Sequence, residues 1–300
     1  MKVLIIALDH QIRDALEAQL KARGQSYESV GLEWVRHEGP VDTQNPPLTI
    51  ANDIAIVVNA LSLECLEQHL ADEELIESLA LLAQTCEQAA IPILQLSNSQ
   101  VFDGAEGGRH GEADEVVPVS RVGALLSRME ELLRGSCDRH IILRTGPVFS
   151  AVGDNLITTL LSKFQQSESL ALCNDVDSCP THAQDLARVI SAIIDQLSCG
   201  CESWGTYHYS SSDPVNEYQF AETVLAVASQ YIQSPDQPLK LEAVATADSD
   251  WSRPLMNCEK LLNTFGIKQL PWRAFVVPTV KTILQQLSTD KNGDEPLLHR

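Results

Sequence analysis

Positive charge is scarce in this sequence. Its 300 residues carry 21 Lys and Arg against 41 Asp and Glu, a formal charge of −20 at pH 7. That balance opposes binding to phosphate backbones and to anionic membrane surfaces, so neither nucleic acid nor membrane is expected as a partner. No apolar run reaches the ~18 residues that a membrane-crossing helix needs. Closely spaced cysteines are also few. Of Cys65, Cys86, Cys137, Cys173, Cys179, Cys199, Cys201 and Cys258, only Cys199-Gly200-Cys201 forms a near pair, and no second Cys or His pair at ligand spacing joins it, which argues against zinc. A Gly-x-Ser-x-Gly elbow is missing, so hydrolase chemistry has no nucleophile setting. The opening Val3-Leu4-Ile5-Ile6-Ala7 stops at Asp9 without a small-residue cleavage site and reads as a strand. Together with free thiols, this gives the expectation of a reducing, cytoplasmic setting. The most consequential absence is local. No lysine lies between Lys21 and Lys163 and no tyrosine between Tyr27 and Tyr207. A Tyr-x-x-x-Lys pair, in which a cation one helical turn away stabilises a phenolate, therefore has no possible register in residues 28–162.

What is present alternates. The apolar run at 3–7 precedes a helical pattern over 11–23 with Ile12, Leu16 and Leu20 at core spacing. Ile54 to Asn59 reads as a strand followed by a helix from about Ser62 to Ala90. Ile91 to Leu96 is another strand, then a Gly- and acid-rich loop (Gly104 to Glu115) and a helix from Val119 to Gly135. Ile141 to Arg144 is the next strand. Apolar strands alternating with helices predict an α/β fold, a Rossmann-type doubly wound parallel sheet whose ligands sit at the strand carboxyl ends, after residues 7, 59, 96 and 145. Beyond residue 150 the pattern loosens. Helical stretches at 156–165, 183–197 and 215–231 alternate with short segments at 204–209 and 239–244. The expected organisation is a Rossmann-like nucleotide-binding domain at 1–150, a smaller α/β cap domain at 151–287 interleaved with the last sheet elements, and a polar tail at 288–300.

Five phrases in order carry a resemblance. Ser97-Asn98-Ser99-Gln100-Val101-Phe102-Asp103-Gly104 resembles Ser-Thr-Asp-Tyr-Val-Phe-Asp-Gly of the dTDP-4-dehydrorhamnose reductase family. Arg144-Thr145 with Val148-Phe149 and Asn155-Leu156, Cys179-Pro180-Thr181 with Asp185-Leu186-Ala187, Gly205-Thr206-Tyr207-His208, and Arg253-Pro254 with Asn257 and Lys260-Leu261 are similar to later family phrases. The resemblance implies an extended short-chain dehydrogenase/reductase with an NAD(P)-binding domain and a C-terminal domain holding a nucleotide-sugar. It implies substrate-side roles for Ser99, Gln100, Thr145, Asn155, Pro180, Thr181, Arg253 and Asn257.

The family's chemistry needs a Tyr and a Lys one turn apart, with a Thr nearby. Counted forward from Ser97 without a gap, those positions hold Val122, Leu126 and Asn98. The family's Gly-x-x-Gly-x-x-Gly turn, where pyrophosphate approaches the backbone, reads Ala7, His10 and Arg13, with His10 expected in the loop above Arg13. Those three and Asn59 form the expected cofactor side, for NADP or NAD. His182, His208, Asp103, Asp175 and Asp177 are read as structural or solvated residues. The expectation is a non-catalytic, sugar-nucleotide-reductase-like protein, a binding or regulatory subunit that holds a nucleotide or nucleotide-sugar and pairs with itself or another protein, its long helices at 62–90 and 119–135 offering a dimer surface on which Ala124, Leu125, Leu132 and Leu133 read equally as plain core. The alternative is an active NAD(P)-dependent oxidoreductase that reduces a 4-keto nucleotide-sugar, with water or a residue such as Ser99, His182 or Tyr207 supplying the proton.

Overall fold

A computed structural model describes residues 2–7, 10–31, 50–51, 53–61, 72–103, 108–166, 169–231, 239–245 and 254–290. Two compact units emerge. The first comprises Met1–Thr145, Gln184–Tyr209 and Met256–Lys268, the second Gly146–Ala183, Ser210–Leu255 and Gln269–Arg300.

The first unit is built on β1 (Lys2–Ile6), β2 (Ser26–Val30), β3 (Ile54–Asn59), β4 (Ile93–Asn98), β5 (His140–Thr145) and β10 (Gly205–Tyr209). They form a six-stranded sheet in the order β10-β5-β4-β3-β1-β2, with every neighbouring pair parallel. Parallel strands need crossover connections, and helices supply them: α1 (His10–Ala22), α2 (Asp72–Gln88), α3 (Arg121–Ser136) and α5 (Ala183–Ser198); the short α7 (Glu259–Phe265) follows the last strand. Strand order reverses between β1 and β3, a topological switch point of the kind that receives ligands in open α/β sheets.

Packing explains the elements. α1 buries Ile12, Leu16 and Leu20, the stripe that its 3.6-residue period predicts. α2 and α3 turn Leu75, Leu79, Leu82 and Cys86, and Leu125, Leu126, Met129 and Leu133, into one apolar cluster with Leu4, Val57, Ile93 and Ile142 of the strands. Of the residues on the expected dimer surface, Leu125 and Leu133 are thus core and Ala124 is exposed. Residues 62–71, where the second helix was expected to begin, lie outside the described residues. The strand expected at Ile91 to Leu96 runs instead from Ile93 to Asn98, because Ser97 and Asn98 still pair with Arg144 and Thr145 across to β5.

α3 begins after Pro118, capped by Ser120, whose hydroxyl accepts from Gly123 N–H at 2.9 Å. Gly123 is there for a second reason. A Cβ on it would lie 2.0 Å from Gln100 O, so the helix reaches the end of β4 only because this side chain is a hydrogen. Gly123→Ala is expected to cost about 1–3 kcal/mol in denaturant unfolding. Gly135→Ala, where an added Cβ meets nothing within 4 Å, should be neutral or stabilising. Equal losses in the two variants would contradict this packing.

The second unit pairs short strands: β6 (Val148–Phe149) with β9 (Thr181–His182) and β7 (Ser169–Cys173) with β12 (Lys240–Val244) in parallel, and β8 (Asp177–Ser178) with β11 (Val215–Asn216) antiparallel. Helices α4 (Leu156–Gln166), α6 (Glu217–Ala228) and α8 (Arg273–Asp290) enclose a separate core that includes Phe149, Leu160, Phe220, Trp272 and Val280. No helix among the described residues is long and apolar enough to cross a membrane.

Candidate functional site

The carboxyl ends of β4, β5 and β10 carry a buried polar network. Arg144, 1% exposed and inside an otherwise apolar strand, meets Glu130 of α3, also 1% exposed. Its Nε donates to Oε1 at 2.9 Å and its Nη2 to Oε2 at 2.6 Å, a bidentate pair. Ser97 Oγ donates to Glu130 Oε1 at 2.6 Å, and Arg134 Nη2 donates to Oε2 at 2.6 Å. Every lone-pair direction of the carboxylate is thereby used. Phe102 lies under the Arg144 guanidinium, with Cζ 5.0 Å from the ring centroid, and stacks on His110 at 4.3 Å.

His208 of β10 completes this network. Its Nε2 faces Arg144 Nη1 at 3.3 Å, and since a guanidinium only donates, Nε2 is the acceptor. The ring proton therefore sits on Nδ1 and is donated to His110 O at 3.2 Å. Burial, and then the Arg144 charge, push the His208 pKa down to about 3. Unfolded, the same ring titrates near 6.5. The unfolded chain therefore gains a proton that the folded chain refuses, and the stability present above pH 6.5 is lost as pH falls toward the folded value. Between pH 6.5 and 5, wild-type protein should lose about 1 kcal/mol per pH unit more than a His208→Gln variant. Equal slopes in urea unfolding would contradict the assignment.

The residues counted onto the family's Tyr, Lys and Thr positions pack or cap. Leu126 is 2% exposed in the apolar cluster and Val122 packs against the same cluster. Asn98 accepts from Gln100 N–H at 2.8 Å and caps the 3-10 turn Ser99–Val101. Within that turn Ser99 is fully buried, and its hydroxyl has no hydrogen-bond partner among the described residues. Gln100 Oε1 is in the same state.

At the switch point, Ala7 is fully buried and its N–H donates to Val30 O at 3.1 Å. His10 is not in a loop: it is the first residue of α1, because the helix starts before the Ile12-Leu16-Leu20 stripe. Arg13 Nη2 lies 2.7 Å from His10 Nδ1, and Arg13 Nε donates to Asp14 Oδ1 at 3.4 Å. The first turn of α1 therefore presents side chains tied to one another where a dinucleotide turn presents bare backbone. Asn59 is buried and joins β3 to β4, its Nδ2 donating to Gln95 Oε1 at 2.7 Å.

The expected substrate-side residues divide between the units, and most have internal partners. Thr145 Oγ1 donates to Ser97 O at 3.3 Å. Asn257 Oδ1 accepts from Glu259 N–H at 2.8 Å, heading α7. In the second unit Asn155 Oδ1 accepts from Ile157 N–H at 3.1 Å at the start of α4. Pro180 is buried, and Thr181 N–H donates to Pro147 O at 2.7 Å. Arg253 lies outside the described residues. His182 Nε2 and Thr279 Oγ1 are 3.0 Å apart, and burial lowers the His182 pKa to about 4. Tyr207 OH donates to Ser203 O at 3.0 Å, and burial raises its pKa. Asp185, from one of the family-like phrases, accepts from Arg188 Nε at 2.8 Å and from the Tyr209 hydroxyl.

Sequence reasoning missed Glu130, Ser97, Arg134 and His110. A signal for Glu130 existed: it follows Val122 and Leu126 at spacings of four, so a carboxylate stands on the buried face of α3. A buried carboxylate needs a cation, and Arg144 in the apolar Ile141-Ile142-Leu143 run needs an anion.

Comparison with known proteins places this architecture. The dTDP-4-dehydrorhamnose reductase of Aggregatibacter actinomycetemcomitans is 31% identical over 189 residues, 60% of this chain and 63% of that protein. The crystal structure of a dTDP-4-dehydrorhamnose reductase from Clostridium acetobutylicum superposes with a TM-score of 0.77 at 21% identity, covering 95% of this chain and all (100%) of that one. The dTDP-4-dehydrorhamnose reductase of Bacillus anthracis, solved in complex with NADP, gives 0.75 at 17% identity over 93% of this chain and 98% of its own. At such identities the structures establish the fold. The family described as the RmlD substrate binding domain matches residues 1–285, nearly the whole chain. The chain therefore belongs to the RmlD substrate binding domain family, within the extended short-chain dehydrogenase/reductase class.

Proposed function

We propose that this protein holds a nucleotide or nucleotide-sugar without transferring hydride and acts as a binding or regulatory subunit, alone as a homodimer or with another protein. One observation carries the reading: residues 28–162 contain neither Tyr nor Lys, and the positions counted from Ser97 as the family's pair fall on Val122, which packs against the apolar cluster, and Leu126, which is buried in it. Arg144 offers no replacement proton donor, because its guanidinium stays charged and is bound to Glu130. Tyr207 and His182 are engaged with Ser203 O and Thr279 Oγ1.

The first turn of α1 does not fit NADP or NAD in the family's manner. His10 and Arg13, whose side chains meet each other, stand at the positions counted as the family's later glycines, and the Ala7 N–H is already given to Val30 O. Ligand recognition instead falls to the end of β4, where Ser99 Oγ and Gln100 Oε1 are buried without partners among the described residues. A buried polar atom left unpaired costs about 1–3 kcal/mol, which a hydroxyl-rich ligand would recover once the Ser99–Val101 turn opens to admit it. The same Ser99 hydroxyl favours the second reading, an oxidoreductase acting on a 4-keto nucleotide-sugar with Ser99 as proton donor.

Titration separates the two. With dTDP-glucose followed by calorimetry, and with NADPH and NADH followed by nicotinamide fluorescence, the expected result is binding of the nucleotide-sugar and no change with either dinucleotide. Ser99→Ala should then weaken the nucleotide-sugar about 5- to 150-fold, the loss of one or two well-placed hydrogen bonds. Saturable NADPH binding would overturn the proposal in favour of the oxidoreductase.

A further inference from the structure

The turn after α5 carries Cys199-Gly200-Cys201, which neither the buried network nor the ligand site uses. Gly200 N–H donates to Leu197 O at 3.0 Å and Cys201 N–H to Gln196 O at 3.0 Å. These are the paired bonds of a Schellman cap, with Gly200 at φ +88° as the left-handed residue that only glycine adopts cheaply. The cap folds the chain back between the two cysteines. Residues two apart cannot exceed about 7 Å between Cα atoms even when extended, and a turn brings them closer. A disulfide spans about 4.4–6.8 Å between Cα atoms. Joining the two sulfurs therefore asks for side-chain rotation within a turn that already exists.

Accessibility singles out the same pair. Among the described cysteines Cys199 is exposed and Cys201 half-buried, whereas Cys86, Cys137, Cys173, Cys179 and Cys258 are buried. Burial pushes the Cys86 thiol up to about 12 and Cys137 to about 11, so both stay protonated and inert. A soluble oxidant thus meets Cys199 first and finds a second sulfur two residues away. The segment from Cys199 to Trp204 leads directly into β10. Tyr207 anchors itself to that segment through Ser203 O, and Lys260 Nζ donates to Thr206 O at 2.7 Å.

We propose that Cys199 and Cys201 form a reversible dithiol–disulfide pair that exchanges with small disulfides of the glutathione type. The Cys199 thiolate attacks one sulfur of the external disulfide, forming a mixed disulfide and expelling one thiolate, which takes up the proton that Cys199 lost. Cys201 then attacks Cys199 Sγ, the mixed disulfide breaks, and a second thiolate leaves with the Cys201 proton. Two electrons pass from the protein to the small disulfide, which becomes two thiols. The closed ring is small and exposed, which places it among labile disulfides rather than structural ones.

The test uses the full-length protein, equilibrated across mixtures of reduced and oxidised glutathione, quenched with acid, alkylated and mapped by mass spectrometry. Cys199 and Cys201 should lose alkylation together, their shared peptide should become lighter by two hydrogens, and dithiothreitol should restore both. Cys86 and Cys137 should not change. Cys201→Ser should trap the glutathione adduct on Cys199. Accumulation of that adduct in the wild-type chain, disulfide-linked dimers through Cys199, or unchanged labelling across the whole series would each overturn the proposal. The wild-type map decides even if the variant fails to fold.

Discussion

Replacing Glu130 by alanine is expected to lower the free energy of unfolding by about 3–5 kcal/mol, a large share of the total for a domain of ordinary stability. The carboxylate is the common acceptor for Arg144, Arg134 and Ser97, and it is 1% exposed. Its removal leaves the Arg144 guanidinium buried at the carboxyl end of β5, with a neutral His208 ring and the face of Phe102 as its remaining neighbours among the described residues. Arg144→Met should cost less, because the carboxylate keeps Arg134 and the Ser97 hydroxyl as partners. Removing both charges together should cost less than the sum of the single losses, since the penalty is mostly that of an unpaired buried ion. A urea-unfolding cycle measures this. Single losses below about 1 kcal/mol would place the pair in water and contradict the geometry.

The second large effect concerns the vacated helix. Leu126→Lys restores the residue type that the family's chemistry calls for, and it should act as a core lesion rather than a repair. Leu126 is 2% exposed among Leu125, Met129 and the strand residues beneath α3. An ammonium there is driven to its neutral form, and buried lysines titrate near 5–6 against an ordinary value near 10.4. At pH 7 the substitution should therefore cost about 4–5 kcal/mol, the work of deprotonation, plus lost packing. The sign follows from a depressed folded pKa: the loss shrinks as pH rises toward 10 and deepens as it falls. Thermal unfolding at pH 7 and pH 9 reads this directly. A variant as stable as wild type would mean that Leu126 faces an open cleft.

Much of the fold was legible because fully buried parallel strands announce themselves as short apolar runs. β1, β3, β4 and β5 were read within two or three residues of their observed bounds, and α1 by its period. β2 was not, for a physical reason. Ser-Tyr-Glu-Ser-Val is polar and partly exposed, and it is a strand because β1 offers it a parallel partner over its whole length. The two-residue strands β6, β8, β9 and β11 are too short for any period to register. The site was legible in location more than in mechanism. The resemblance marked Arg144-Thr145 and Gly205 to His208 as notable, and implied a substrate-side role for Thr145. The structure gives the Thr145 hydroxyl to Ser97 O, sets Arg144 directly against His208, and answers the Arg144 charge with a glutamate from α3 that the sequence analysis did not single out. Motif matching sees which residues keep their identity. It does not see that a buried charge in a strand must be answered from the helix above it.

Hydride transfer is the point at which the account is most exposed. Purified protein mixed with NADPH and dTDP-4-dehydrorhamnose, followed by nicotinamide absorbance, should show no oxidation above the protein-free control. Turnover in the ordinary enzyme range of about 1–10³ s⁻¹ would contradict it, and would require an acid other than the tyrosine that residues 28–162 do not contain.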